Sequence, residues 1–526
     1  MNTCSVENCN LKVFESLNKC SLHCQKNDYQ TDRKNSLLSD FFLSLKDYIL
    51  DELFEHNDTL SNKYNKQEIN TYFSQDKFDS EEINQTLKEQ IITPTNIVFP
   101  TRDSRDYFDY QRFLNLFGQI HFNYCEFYLS SLDLQDIEVF FQDCIFHTRW
   151  DLQNYKVLEY KDNVVYQTCT FKNDISNYTP DEDKKYYPLE SNQFDYTCTF
   201  EKKLSLNYVQ LDGLLFSTEQ GNYLEEKLKI KEINLENCII NSKVVINRFE
   251  IESFTAKNTI FENKFEFKEN DVKRFNIDNS NFKKLMDCYG SEFEEFRVFK
   301  SIFDDFVGFE ECNFGKAKNI QEKYIANFTY ATFLNFINFR NTTFYSGLNL
   351  ENTNLKESPN FLKSSIELTH TNRETIRIIK HSFEKIGNII EGNKYFSKEM
   401  QKYKEGLEVQ SWKGNIQEKF VFNINAFISD FGQNYIKPIA LIILISILHY
   451  LIVLGHESNL LYEIYEPAND YIRSFADFIN NVVKNIVPLK SLLKKDMEFV
   501  SLVFGIAYSI LIWQTIVAVK MHTRRG

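Results

Sequence analysis

A chain of 526 residues is longer than one compact core usually holds, so several domains or an extended repeat array are expected. With 49 Phe and 29 Tyr against 15 Gly and 8 Pro, the composition argues against disorder, collagen-like repeats and Gly-rich nucleotide loops. A net charge of -14, with no Lys/Arg run interleaved with aromatics, argues against nucleic acid as a partner.

The chain opens MNTCSVENCN, without a basic region followed by an apolar stretch. No signal peptide is therefore read, and the N-terminal portion is expected to stay in the cytosol. Cys4, Cys9, Cys20 and Cys24 follow the spacing C-x4-C-x10-C-x2-H-C, with His23 before the last cysteine. Two short-spaced pairs joined by a loop supply the four thiolate or imidazole ligands that tetrahedral zinc favours, from a segment too short for its own core. The spacing predicts a zinc knuckle over residues 1–28, with His23 and Cys24 both fitting as fourth ligand. The zinc would be structural, because no Glu-bearing, His-rich helix accompanies the cluster. Disulfides, disfavoured in a reducing cytosol, and chance spacing are the alternatives. Residues 29–117 read as a mixed helical and linker region.

From residue 118 to 356 a different rule applies. Six cysteines share one context, a small residue two before a large apolar one: Cys125/Phe127, Cys144/Phe146, Cys169/Phe171, Cys198/Phe200, Cys238/Ile240 and Cys312/Phe314. The register continues with Thr259/Phe261, Ser280/Phe282, Ser291/Phe293, Ser301/Phe303, Ala331/Phe333, Thr342/Phe344 and Thr353/Leu355. The cysteines are thus expected to be packing atoms, and Cys288 is left unassigned. Near the end, the large positions Phe333, Phe339, Phe344, Leu350 and Leu355 are spaced 6, 5, 6 and 5 apart. A period near five is neither helical nor that of an alternating strand.

This pattern resembles the pentapeptide-repeat family, whose unit is a small residue, a polar residue and a central Leu or Phe. The resemblance implies a right-handed quadrilateral β-helix with Phe261, Phe282, Phe293, Phe303, Phe314, Phe333, Phe344 and Leu355 as repeat core. It is irregular before Asn258, where cysteine spacings of 19, 25 and 29 imply inserted loops, such as Asn173 to Leu189, hanging from the sides. A β-sandwich is the alternative, but alternation would give period two. The acids scattered through the array read as its solvated outer face.

Over 370–410, Ile376, Ile379, Phe383, Ile386 and Ile390 follow steps of 3, 4, 3 and 4, the seam of an amphipathic helix. Phe396, Met400, Tyr403 and Leu407 repeat it after Gly392 and Asn393. A helical hairpin or oligomeric stalk follows, or simple packing against the last coil.

Two apolar runs lie within 435–520: Ile436 to Leu454, charged only at Lys437, and Phe499 to Val519, with no charge. Each matches the thickness of a bilayer in helix, so two transmembrane helices are read in preference to buried core helices. Lys413, Lys419 and Lys437 before or at the first run, and Lys520, Arg524 and Arg525 after the second, put both termini on the cytoplasmic side. The intervening Arg473, Lys484, Lys490, Lys494 and Lys495 weaken that contrast. His449 and Gln514 are polar groups inside the spans and hence functional candidates, unless each merely bonds a neighbouring helix. Gly505 and Ser509 form a small-xxx-small pair suited to close helix packing, within or between subunits.

Arg373-Glu374-Thr375, Phe383 to Asn388, Asn393 to Phe396 and Lys398-Glu399-Met400 resemble the connector of bacterial pentapeptide-repeat membrane proteins. The ending Ile512 to Val517 followed by Arg524-Arg525 resembles the same group, in which a two-helix module like that of potassium channels follows. The resemblance implies a multi-pass protein of the bacterial inner membrane. Where a Thr-x-Gly-Tyr-Gly filter would stand, this chain reads FADFINNVVKNIVP, so potassium selectivity is not supported, although Phe475, Phe478, Ile479, Val482 and Val483 suit a re-entrant or interfacial helix.

The reading is a non-enzymatic, homo-oligomeric membrane protein, its cytosolic β-helix sensing or assembling with a protein partner and its spans forming a pore in membrane lipid. A role in anti-phage defence follows from the resemblance alone. A membrane-tethered scaffold that does not conduct is the second reading. No phosphate loop, nucleophile elbow or metalloprotease helix supports an enzyme.

Overall fold

The computed structural model describes residues 3–6, 9–14, 17–26, 34–55, 58–75, 78–101, 109–134, 137–157, 164–177, 186–217, 227–317, 319–409, 416–457, 474–475, 477–479 and 493–523. The chain forms two compact units, Met1–Thr371 and Asn372–Gly526.

The first unit is a parallel β-solenoid of about 11 turns. Its regular part spells out the physical unit. Strands Leu228–Glu236, Phe249–Lys257, Asp271–Asp278 and Glu292–Phe299 stack in parallel, each followed by two strands of two residues. Aligned residues are 21 apart, as in the hydrogen bond from Asn258 to Asn237. A coil of 21 residues holds about four repeats of a period near five.

Each coil places its aromatics directly over those of the last. Phe261, Phe282, Phe303 and Phe333 stack at centroid separations of 4.5, 4.9 and 4.8 Å, close to the spacing of hydrogen-bonded strands. Phe293, Phe314 and Phe344 form a second column at 5.3 and 4.9 Å. Leu355, at the end of the first column, is only half-buried.

The small residues make a hydrogen-bonded column of their own. Thr259 Oγ1 donates to the carbonyls of Leu235 and Lys257, and Ser280 Oγ accepts the Thr259 amide. Beside them Asn237, Asn258 and Asn279 adopt positive φ, turn the corner, and hand side-chain hydrogen bonds from coil to coil. The cysteines divide among three such columns. Cys125, Cys144, Cys169 and Cys198 form one, each thiol donating to a carbonyl of the preceding coil. Cys238 belongs with Thr259, and Cys312 with Ser291 and Thr342.

Strand pairing begins upstream of residue 118, at Ile91–Ile92 and Val98–Phe99. The cysteine spacings of 19, 25 and 29 equal the lengths of whole coils, since Phe127, Phe146, Phe171 and Phe200 are aligned. The expectation of a hanging loop from Asn173 to Leu189 is corrected in part. Ile175–Asn177 and Tyr187–Leu189 are strands paired within the solenoid, because Ile175 and Leu189 are inward-facing and fully buried; the intervening 178–185 lie outside the described residues. Outward faces carry cross-coil ion pairs, Lys229 to Glu250 and Lys273 to Glu252 among them.

The N-terminal mouth is covered by α1 (Lys34–Glu55), whose Leu38, Phe41, Leu45, Ile49 and Leu53 are buried. Phe41 meets Phe99 and Tyr110 edge-on at 5.8 and 5.5 Å. Helices α2 (Asp58–Lys63), α3 (Lys66–Phe73), α4 (Glu81–Lys88) and α5 (Tyr110–Leu114) complete that end. A solenoid needs such a cap, since its first coil has no neighbour to cover its apolar edge.

In the second unit α6 (Arg373–Lys385) and α7 (Ile389–Val409) form an antiparallel hairpin, followed by α8 (Ile416–Ser429), α9 (Ile436–Glu457) and α10 (Glu498–Thr523). Ile376, Ile379 and Phe383 are buried, but the seam stops there: Ile386 and Ile390 are exposed, because the chain turns at Gly387 with φ 77°. α9 and α10 are each long and apolar enough to cross a membrane, and few of their apolar side chains are buried.

Candidate metal centre

Residues 3–24 fold back on themselves through the bridge between Thr3 and Lys12 and the amide of Cys4 bonded to Leu11 O. A tight turn then carries the second pair, the His23 and Cys24 amides both bonding Cys20 O. The result gathers Cys4 Sγ, Cys9 Sγ, Cys20 Sγ and His23 Nδ1 within 4.8 Å of one another. Cys9 and Cys20 Sγ are 3.8 Å apart, and His23 Nδ1 is 3.2 Å from Cys20 Sγ and 3.5 Å from Cys4 Sγ. For metal–sulfur bonds of about 2.3 Å, the edge of a tetrahedron is about 3.8 Å, so the four donors fit one metal ion.

Electrostatics agree with that use. Burial, with Lys26 and Lys19 nearby, pushes His23 down to about 4, leaving a neutral imidazole able to donate a lone pair. Burial, reinforced by Cys9 and Cys4, pushes the Cys20 thiol up to about 12. Burial raises the Cys9 thiol too, whereas at Cys4 burial works upward but hydrogen bonds from the Val6 and Cys20 backbone and the Cys20 thiol hold it below its ordinary value. Cys9 and Cys20 thus resist ionisation, and ligation of a divalent metal would favour their thiolates. The Cys20 amide already donates to Cys4 Sγ at 3.4 Å.

Cys24, expected as an alternative ligand, is not in the cluster. The turn directs its thiol to Ser21 O, and it is buried with Phe14 and Leu37. Sequence spacing could not separate it from His23, since adjacent residues satisfy the same interval. The knuckle is docked on the solenoid mouth: the Val98 amide donates to Leu22 O, and Ser21 Oγ donates to Asp40 O on α1. Lys26 is fully buried there, its Nζ donating to the Leu22 and Cys24 carbonyls over the Phe41 ring.

The other candidate residues sit in the helical unit. His449 stacks on Phe504 at 4.3 Å and lies near Tyr508, joining α9 to α10. Gln514 Oε1 accepts from Ser429 Oγ at the end of α8, 2.9 Å away. Ser509 Oγ donates to Gly505 O within its own helix, and a Cβ built on Gly505 would meet nothing within 4 Å. The small pair is therefore not used between α9 and α10. Phe475 and Phe478 are exposed, whereas Val482 and Val483, like Arg473, Lys484, Lys490, Arg524 and Arg525, lie outside the described residues.

A site the sequence did not announce lies in the hairpin. Glu399, with its side chain 4 % exposed, receives Lys380 at 2.8 Å, Arg377 at 3.0 Å and Arg373 at 3.7 Å, all from α6. Its signal was present as Arg373, Arg377 and Lys380 on one helical face. Compared with known proteins, the chain matches no protein-family model, no curated protein and no solved structure.

Proposed function

We propose that the protein is a non-enzymatic membrane protein in which a cytosolic β-solenoid, capped by a structural zinc knuckle, senses or assembles with a protein partner and governs an oligomeric two-helix pore. The observation that carries this reading is the pairing of a large capped solenoid with two apolar helices of which few residues are buried. Exposed Ile and Leu on α9 and exposed Ile and Val on α10 suit lipid, and the open face at Gly505 suits a second copy. Cys3His is a donor set typical of structural zinc. The bacterial inner membrane and a defence role follow the resemblance to pentapeptide-repeat membrane proteins, and cytoplasmic termini follow the Lys/Arg residues flanking the two runs.

The test is the full chain reconstituted in planar bilayers, alone and with a solenoid partner, alongside a chain ending at Lys437. A pore predicts conductance that the shortened chain lacks. Partner binding retained without any conductance by the full chain would favour the second reading, a tethered scaffold, which the outward polar faces of the solenoid also suit.

A further inference from the structure

α8 is covered on one side only: Ile428 and Ser429 are buried and Phe422 is half-buried, while an apolar stripe is left bare. Ile416, Phe420, Ile424 and Phe427 follow steps of 4, 4 and 3 and make one stripe, with Phe420 66 % and Phe427 69 % exposed. On the opposite side Phe422 packs on Tyr403 and Phe431, Glu418 accepts from Tyr403 Oη, and Ser429 bonds Gln514. The stripe is therefore not a face the hairpin failed to reach; the helix is held with it turned away.

The junction to α9 fixes the direction of α8. Asp430, Phe431 and Gly432 are three consecutive residues at positive φ (49, 53 and 83°), and Asn434 Oδ1 then caps α9 at the Ile436 and Lys437 amides. Such a run cannot continue a helix, so α8 leaves the line of α9 just where the apolar run of α9 begins. We infer that the Ile416/Phe420/Ile424/Phe427 stripe of α8 lies in the lipid headgroup boundary, as an interfacial helix that holds the hairpin against the membrane. Lipid is the favoured occupant because α8 joins a segment of bilayer character through six residues, and Lys419 and Lys437 flank that junction as cations suited to headgroups. This inference rests on the membrane reading of α9 and α10.

Photocrosslinking separates the two ideas. The full chain, carrying p-benzoylphenylalanine in turn at Phe420, Phe427, Phe422 or Ile443, is placed in vesicles of phosphatidylethanolamine and phosphatidylglycerol and irradiated. Lipid adducts at Phe420, Phe427 and Ile443, with none at Phe422, are expected. Adducts at Ile443 alone, or a chain-to-chain product at Phe420 or Phe427, would overturn the interfacial assignment and leave the spans intact. Absence of adducts at Ile443 would remove the membrane reading and this inference with it.

Discussion

Single residues in the solenoid divide into those chosen for bulk and those chosen for a hydrogen bond. Phe303 is sandwiched between Phe282 and Phe333, so Phe303→Ala should cost about 3–5 kcal/mol in chemical denaturation. Cys312 only donates its thiol to Cys288 O, as the hydroxyl of Thr342 donates to Phe309 O one coil on. Cys312→Ser should therefore be far milder, and a loss equal to that of Phe303→Ala would show the thiol itself to matter. Glu399 invites a sharper test. Burial works to raise its carboxyl, but the hydrogen bonds of Lys380 and Arg377 win and hold it below its ordinary value. Its contribution is present above the unfolded carboxyl's pKa and is lost as pH falls through the lowered folded value. Glu399→Gln should cost about 1–3 kcal/mol near neutrality, because charge-assisted hydrogen bonds to Lys380 and Arg377 are lost while the cations left behind stay partly in solvent. The penalty measured by denaturation should shrink as the pH is taken down into that range, and a penalty independent of pH would refute the assignment.

At the scale of elements, the knuckle makes a clear distinction between neighbours. His23→Ala should lower zinc content well below about one ion per chain, whereas Cys24→Ser should keep it, by metal analysis of purified protein. The reverse pattern would contradict the turn at Cys20. Zinc removal should loosen the cap, read as faster hydrogen exchange at the Val98 amide, which donates to Leu22 O. Gly432 tests the α8–α9 junction: at φ 83°, with Met521 Sδ 2.5 Å from a built Cβ, Gly432→Ala should destabilise the helical unit by at least about 1–2 kcal/mol. The same elements show what sequence could and could not tell. The small-then-large rule was legible on the two sides where Thr259/Phe261 and Ser291/Phe293 obey it. It failed where the order is reversed, as in Phe254/Ala256, or where both positions are large, as in Phe265/Phe267, all buried. Cys288 went unassigned for the same reason, since it occupies the central position that Phe267 and Phe309 hold in adjacent coils. Coils of 19, 25 and 29 residues hid the period, and the knuckle's fourth ligand depended on a turn that spacing does not encode.

The whole molecule joins a stacked solenoid, whose ends need covering, to two helices whose exposed apolar surface suits lipid or further copies of themselves. A two-helix subunit cannot enclose a conducting path alone, so the proposed pore stands or falls with oligomerisation. Gly505 is the natural lever, because a Cβ there meets nothing within 4 Å among the described residues, which leaves room for a second copy. The most direct measurement is native mass spectrometry of the full chain in lipid nanodiscs, beside Gly505→Leu. The account predicts a closed oligomer for the parent chain and smaller species for Gly505→Leu, with zinc content and strand circular dichroism unchanged. A monomer in both would contradict it.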